Sequence, residues 1–171
     1  MDIKTTERLV HAFVTSRIDS NNSMLFGLPQ CELAKIQRVQ NTAARLVLCV
    51  PRREHITPFL RKLHWLPIEC RALYKMLLLT YKALNDMAPV FISDLVNRYV
   101  PTRSLRSSSK NLLEVLRPST KFYGARSYVV AAATEWNCLP SEVRHAETVS
   151  IFKSRLKTHL FGNYYNHGLT G

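Results

Sequence analysis

The chain has 171 residues, of which 46% are hydrophobic, so it can bury the core of one domain or of two small subdomains. Its 24 Lys and Arg exceed its 12 Asp and Glu and give a formal net charge of +12. Such a surplus attracts polyanions, of which nucleic acid is the usual one; the alternative is a merely solvated basic surface. The longest apolar run, residues 128–133, is far shorter than the roughly 20 residues that span a bilayer, so we expect no membrane partner.

The cysteines and the N-terminus indicate a reducing compartment. No two cysteines form a Cys-x-x-Cys clip, and none is spaced from the histidines as in a zinc knuckle. We therefore expect reduced core cysteines, no metal and no cofactor. Asp2, Glu7 and Arg8 interrupt any N-terminal apolar region, which argues against a signal peptide and predicts an intracellular protein, nuclear or cytoplasmic. The cysteines are Cys31, Cys49, Cys70 and Cys138.

Apolar spacing predicts helices over most of the chain, hence a mainly α fold. In the first two helices, 6–18 and 30–48, the apolar residues recur at helical spacing, and a turn at 19–22 separates them. The helix 67–84 has apolar residues in almost every direction, which predicts burial on several sides. The tail after residue 161 is expected to fray. The apolar positions of the first two helices are Leu9, Val10, Phe13, Val14, Ile18, Leu33, Ile36, Val39, Ala43, Leu46 and Val47. The other predicted helices are 57–64, 89–99, 129–137 and 150–161.

Residues 98–126 form a basic, serine-rich stretch in which seven Lys and Arg face a single acid, Glu114. This composition predicts an exposed linker or basic loop. Within it, residues 112–116 and 123–130 could pair as a small β-hairpin near 112–130, turning at 118–121.

Nothing in the sequence supports catalysis. Two-metal nucleotidyl transfer needs clustered carboxylates, but the twelve acids are scattered, without Asp-Asp or Asp-x-Asp. A nucleophile built from Cys70 and His64 lacks a third, activating group. No Gly-rich phosphate loop occurs, so we expect no enzyme activity and no small-molecule substrate.

Two basic sets are the candidate nucleic-acid contacts, because guanidinium forks and ammonium groups bind phosphate. The first lies in the stretch 98–126, where aromatic residues could also stack on bases. The second lies along the predicted helix 30–48 and continues past its end to Arg52 and Arg53. The candidates of the first set are Arg98, Arg103, Arg106, Lys110, Arg117, Lys121, Tyr123 and Arg126, and those of the second are Lys35, Arg38 and Arg45.

Two phrases, LHWLPI at 63–68 and WNCLP at 136–140, each join a tryptophan to a Leu-Pro step. Large rings at such positions bury extensive area and fix the angle at which a helix begins. We expect both tryptophans to be framework rather than parts of a binding site.

These phrases and several others occur in an order that resembles the C-terminal region of LINE-type non-LTR retrotransposon reverse transcriptases, of the jockey-like and chicken-repeat-like kinds. The resemblance extends from about residue 9 to residue 161. The other phrases are IQRVQNTAARL at 36–46, HITPFL at 55–60, LTYKALN at 79–85, LRSS at 105–108, GARS at 124–127 and FKSRLKTHLF at 152–161.

The resemblance implies a thumb-like helical bundle followed by a helical C-terminal extension. Residues 1–50 would be the thumb-like segment, 51–100 the core of the extension, 101–128 a basic loop or hairpin, and 129–171 the C-terminal helices and tail. In that family the metal site and the endonuclease lie upstream. The implied function is a non-catalytic part of an RNA-directed DNA polymerase that binds RNA or DNA. The alternative is a structural or protein-interaction module that packs against the reverse-transcriptase palm domain without binding nucleic acid.

Overall fold

A computed structural model describes residues 2–101, 111–117, 120, 124 and 126–167. Most of the described residues are helical, which confirms the mainly α class. The first helix contains a π-helical turn, His11–Thr15, between its two α-helical parts. The α-helices are α1 Ile3–Val10, α2 Ser16–Asp19, α3 Gln30–Leu48, α4 Thr57–Lys62, α5 Ile68–Leu84, α6 Val90–Ser93, α7 Tyr128–Cys138, α8 Ser141–Arg144 and α9 Val149–His167.

The helices group into two compact units. The first unit comprises residues 1–73 and 160–171, and the second comprises residues 74–159. Helices α5 and α9 therefore each contribute residues to both units. These units are defined by contacts between residues and do not coincide with the four consecutive segments expected from the sequence. The division into four segments stays a prediction.

The core of the first unit is built where α3 meets the N-terminal helix and α4. Helix α3 has the predicted bounds and ends where Cys49 adopts a left-handed conformation, φ 52°. Small residues on the inner face of α3 let the neighbouring elements approach closely. The buried cluster contains Val10, Ala43, Ala44, Val47, Leu60 and Trp65.

Two glutamines of α3 satisfy the backbone at the first tryptophan phrase. Gln40 Nε2 donates to the carbonyl of Leu66 at 2.8 Å, and the Ile68 N–H donates to Gln37 Oε1 at 2.9 Å. Gln37 Nε2 in turn donates to Gln40 Oε1 at 2.9 Å. Ile68 lies in the first turn of α5, where its N–H has no acceptor within the helix, so the Gln37 amide supplies one. The Leu66 carbonyl also accepts from Arg71 Nε at 3.0 Å. The buried Trp65 is thus framework, as predicted.

The expectation that the C-terminal tail frays from residue 162 is wrong, because α9 continues to His167. Tyr165 packs against the first core, and its hydroxyl donates to the Trp65 carbonyl at 2.7 Å. Phe161 stacks near Tyr165 with ring centroids 4.5 Å apart. The aromatic residues 161, 164 and 165 extend the apolar face of the helix beyond Gly162. Their packing outweighs the low helix propensity of this glycine, which costs about 1 kcal/mol.

The second unit is centred on a stack of three aromatic rings. Phe152 lies between Tyr81 and Trp136, with ring centroids 4.2 Å and 5.8 Å away. The Tyr81 hydroxyl donates to the Ala146 carbonyl at 2.8 Å, which satisfies the polar end of a buried ring. Trp136 is fully buried, so the second tryptophan is framework as well.

The predicted hairpin is wrong within the described residues. Leu113 forms an isolated antiparallel bridge with Arg98, and not with the stretch 123–130. Tyr128 to Val130 form the first turn of α7, whose alanines 131–133 are all buried. Three consecutive buried positions fit a helix packed on several sides and not the alternation of a strand. The helix predicted at 89–99 is shorter in the structure, because α6 ends at Ser93. Residues 97–99 pair instead with residues 112–114 of an extended segment, residues 111–114.

Two expectations about burial also need correction. The cysteines are free as predicted, but only Cys70 is buried, whereas Cys31, Cys49 and Cys138 are exposed. In the first two predicted helices, four apolar side chains that share helical spacing with core residues lie exposed at the surface. They are Leu9, Phe13, Val39 and Leu46.

The core assignment of α5 can be tested by truncating Leu77, which is 1% exposed. We expect Leu77→Ala to lower the free energy of unfolding by about 2–5 kcal/mol, because it removes buried methyl groups and leaves a cavity. An exposed leucine of the same unit, Leu95, supplies the matched control, and Leu95→Ala should cost much less. Denaturant titration measures both; a Leu77→Ala midpoint close to that of the control would contradict the assignment.

Candidate nucleic-acid interface

Both units are basic. The first carries 11 Lys and Arg against 6 Asp and Glu, and the second carries 13 against 6. The positive charge is therefore not confined to the stretch 98–126, and both units carry cations that a polyanion could bind.

In the first unit, α3 and the turn after it present four arginines, here called the basic strip: Arg38, Arg45, Arg52 and Arg53. Arg38 and Arg45 are seven residues apart, so they share one helix face about 10 Å apart along the axis. The turn that follows is closed by the Glu54 N–H, which donates to the Pro51 carbonyl at 3.2 Å. Arg52 and Arg53 occupy the two central positions of this turn, and both are exposed.

Arg45 holds the basic strip together. Its Nη2 donates to the Glu54 carbonyl at 3.0 Å, which ties the turn to α3. Its Nε is buried without a hydrogen-bond partner among the described residues. Arg45 is half-buried, so it serves mainly to position the turn.

The other three arginines of the basic strip are available to a ligand. Within the described part of the chain, the side chains of Arg38, Arg52 and Arg53 make no hydrogen bond or ion pair, and all three are exposed. An exposed guanidinium without a carboxylate partner is suited to a forked contact with phosphate oxygens.

Lys35, the other predicted contact on α3, already has a partner. Its ammonium lies 2.8 Å from the Glu32 carboxylate one turn earlier, and both side chains are well exposed. Exposed pairs of this kind contribute little to stability, but the carboxylate offsets the lysine charge at this point of the surface. Lys35 is therefore a weaker phosphate contact than Arg38.

In the second unit, Arg98 is engaged by the protein. Its Nη2 donates to the Leu84 carbonyl at 2.9 Å, and its Nη1 donates to Asn111 Oδ1. Two of its donors thus connect the end of α5 to the extended segment around residue 111. A phosphate contact by Arg98 stays a prediction, in addition to this positioning role.

A clamp that the sequence did not predict holds the extended segment from its other side. The Leu113 N–H donates to Asn137 Oδ1 and the Leu113 carbonyl accepts from Asn137 Nδ2, both at 2.9 Å. The neighbouring indole, Trp136 Nε1, donates to the Asn111 carbonyl at 2.9 Å. The Trp-Asn pair of the second phrase therefore acts like a neighbouring strand for residues 111–113. The Asn in this phrase, next to a buried ring, was the signal in the sequence.

A buried arginine supports the clamp. Arg144 Nη1 donates to the Asn137 carbonyl at 2.8 Å, and the Arg144 carbonyl accepts from Asn111 Nδ2 at 3.3 Å. Its Nε has no partner among the described residues. The clamp and the pairing with residues 97–99 together hold residues 111–114 in place from both sides.

Of the remaining predicted contacts, Arg117 and Arg126 are exposed and make no side-chain hydrogen bond or ion pair with another described residue. Tyr128 is half-buried, and its hydroxyl lies 3.2 Å from Thr80 Oγ1, so this ring belongs to the fold. Five predicted contacts lie outside the described residues: Arg103, Arg106, Lys110, Lys121 and Tyr123.

The described residues contain no cluster of metal ligands, and the surroundings of Cys70 disfavour its thiolate. No group of three His, Cys, Asp or Glu side chains among them could hold a metal ion. Burial, and secondarily the Glu69 carboxylate, raises the pKa of the Cys70 thiol to about 12. Cys70 is therefore protonated at neutral pH and a poor nucleophile. The His64 ring instead lies tilted against Phe161, with ring centroids 5.6 Å apart.

Comparison of the chain with protein-family models, with curated proteins and with solved structures found no match. Among the described residues, no helix is both long and apolar enough to cross a membrane.

The clamp predicts a specific cost for removing the Asn137 amide. Asn137→Ala leaves the N–H and the carbonyl of the buried Leu113 without partners, so we expect a loss of about 1–3 kcal/mol in the free energy of unfolding. Asn97 is the matched control, because it is exposed and its side chain has no hydrogen-bond partner among the described residues. Equal unfolding midpoints for Asn137→Ala and Asn97→Ala would refute the clamp.

Proposed function

We propose that this chain is a non-catalytic part of a LINE-type reverse transcriptase that binds RNA or primer-template nucleic acid through basic surfaces. Two kinds of support are independent of each other. One is the order of phrases that resembles the C-terminal region of these enzymes. The other is the chemistry of the exposed cations, which does not rest on that resemblance.

The observation that carries the proposal is the set of unpaired arginines in the basic strip. In the first unit, the carboxylates of Asp19, Glu32 and Glu7 each lie within 4 Å of a basic side chain: Arg71 at 2.6 Å, Lys35 at 2.8 Å and His11 at 3.7 Å. None of them lies against the arginines of the strip, and Glu54, the carboxylate at the end of the turn, forms no ion pair with another described residue. Positive charge is therefore in excess along one face of α3 and its following turn, where a phosphate backbone is the complementary ligand.

The three available arginines lie on α3, at Arg38, and in the turn after it, at Arg52 and Arg53. A backbone bound to them would extend from the helix face to the turn. Contacts of this kind position a protein on the backbone without reading the sequence. The proposed binding is thus tolerant of sequence and strongly dependent on salt.

The exposed apolar side chains of Leu9, Phe13 and Leu46 favour a second function, that of a protein-interaction module. A packing interface and a phosphate interface differ in their response to salt. Phosphate contacts release counterions, so the logarithm of affinity falls steeply with the logarithm of salt concentration.

The test measures that slope with a single-stranded RNA oligonucleotide and with a DNA duplex, by fluorescence anisotropy. For the single strand each phosphate contact adds about 0.7 to the slope. Replacing Arg38, Arg52 and Arg53 by Gln should therefore lower the slope by about two. Replacing Arg103, Arg106 and Lys110 by Gln tests the stretch 98–126, and we expect this variant also to lower the slope by about two.

A variant with Lys75, Lys153 and Lys157 changed to Gln is the control, because it removes the same charge at exposed positions outside both sets. It should leave the slope nearly unchanged. Unchanged affinity and slope in both the strip variant and the stretch variant would reject nucleic-acid binding and favour the interaction module.

A further inference from the structure

The first unit contains an apolar groove on its surface, between the N-terminal helix and α3. The groove consists of two adjoining hollows of about 420 and 320 Å³, which share Val10, Val14 and Leu46. Leu9 and Phe13 border the first hollow and Val39 borders the second. Both walls belong to the same unit, so the groove does not depend on the rest of the chain.

The side chains at the border of the groove are unusually exposed for their size. Phe13 is 72% exposed, Leu46 63% and Val39 51%. Single exposed apolar residues are ordinary, but a contiguous set of them beside a hollow marks an interaction surface. Their helical spacing explains why the sequence suggested a core.

The shape and chemistry of the groove fit an α-helix. Its lining extends from Thr6 to Val14 on one wall and from Val39 to Cys49 on the other, about 12 and 15 Å. Three helical turns with anchors at i, i+3 or i+4, and i+7 occupy such a length. Few polar atoms line the groove, so an extended strand or a nucleotide base would lose hydrogen bonds there. A helix satisfies its own backbone.

The rim of the groove is basic. Arg38 precedes Val39 by one residue and Arg45 precedes Leu46 by one, so both arginines lie beside the apolar row of α3. Across the groove, Arg17 follows Phe13 by four residues and is exposed. Within the described residues Arg17 and Arg38 have no carboxylate partner.

The basic rim distinguishes two occupants of the groove, a second copy of this chain and a helix with acidic residues. In a symmetric contact between two copies, the same patch faces itself, so the arginines of each copy would approach those of the other. A helix with acidic residues beside its apolar stripe would meet them with opposite charge.

We propose that the groove binds an acidic amphipathic α-helix of a partner protein. The apolar anchors of that helix would lie against Leu9, Phe13 and Leu46, and its carboxylates would pair with Arg17 and Arg38. This binding does not rest on the proposed nucleic-acid function, although Arg38 belongs to both surfaces and the two ligands would compete for it.

The experiment uses the full chain and two designed, fluorescently labelled helical peptides. Both carry Leu at i, i+3, i+4 and i+7, with Glu on the polar face of one and Lys on that of the other. We expect the acidic peptide to bind at least about tenfold more tightly at low salt, because the rim is basic. Absence of binding, or equal affinity for both peptides, would overturn the proposal.

Two substitutions locate the binding. Leu46→Glu places a carboxylate in the groove, and Phe13→Ala removes an anchor without changing charge; each should weaken binding of the acidic peptide by about tenfold. Met24→Glu is the control, because Met24 is 78% exposed and lies outside the groove lining. The Met24→Glu variant should bind the acidic peptide as tightly as the unmodified chain does. Since all three side chains are exposed, the fold should tolerate these changes.

Three results would contradict the proposed occupant. One is peptide affinity that neither Leu46→Glu nor Phe13→Ala reduces. Another is a loss of peptide affinity in Met24→Glu as large as the loss in the two groove variants. The third is self-association of the unmodified chain that Leu46→Glu abolishes, because the groove would then bind a second copy. RNA affinity of Phe13→Ala is measured alongside, so that failure of this proposal is separable from failure of nucleic-acid binding.

Discussion

Both units depend on one constraint, which is that backbone polar groups beside the two tryptophan phrases must be satisfied inside the protein. Side-chain amides meet it in each case. Gln37 and Gln40 bind the backbone of Ile68 and Leu66, and Asn137 binds both backbone groups of Leu113. An unpaired buried N–H or carbonyl costs about 1–3 kcal/mol. These contacts therefore favour the observed course of the chain over conformations that would leave the same groups unpaired.

Helix α3 connects this framework to the proposed functions because its faces differ. Its inner face carries the glutamines and the small residues that pack against Trp65. Its outer face presents Arg38 beside Val39 and Arg45 beside Leu46, so positive charge and exposed apolar surface alternate there. A helix fixed by buried amide contacts is a rigid support for both surfaces, and rigid support is what precise positioning of phosphate or helix contacts requires.

Periodicity predicted α3 well, because its apolar residues recur at helical spacing, and α5, because its residues are buried on several sides. It failed where the partner of a segment lies far away in sequence. Leu113 pairs with Arg98 and Asn137, and Tyr165 packs near Trp65; the residues around Leu113 and Tyr165 carry no local signal of these partners. Helical spacing also placed Phe13 and Leu46 with the core, because a surface groove and a core share the same pattern. For the basic residues, composition identified the cations but not their partners, such as Asn111 for Arg98.

Native-state hydrogen exchange of two backbone amides tests the amide framework most directly. The Ile68 and Leu113 amides should be strongly protected, whereas the amides of Arg52 and Arg53 in the exposed turn should exchange rapidly. Gln37→Ala should release the Ile68 amide selectively, and Asn137→Ala the Leu113 amide. If Ile68 and Leu113 exchange as fast as the turn, or if neither substitution changes the protection of its own amide, the framework described here is contradicted.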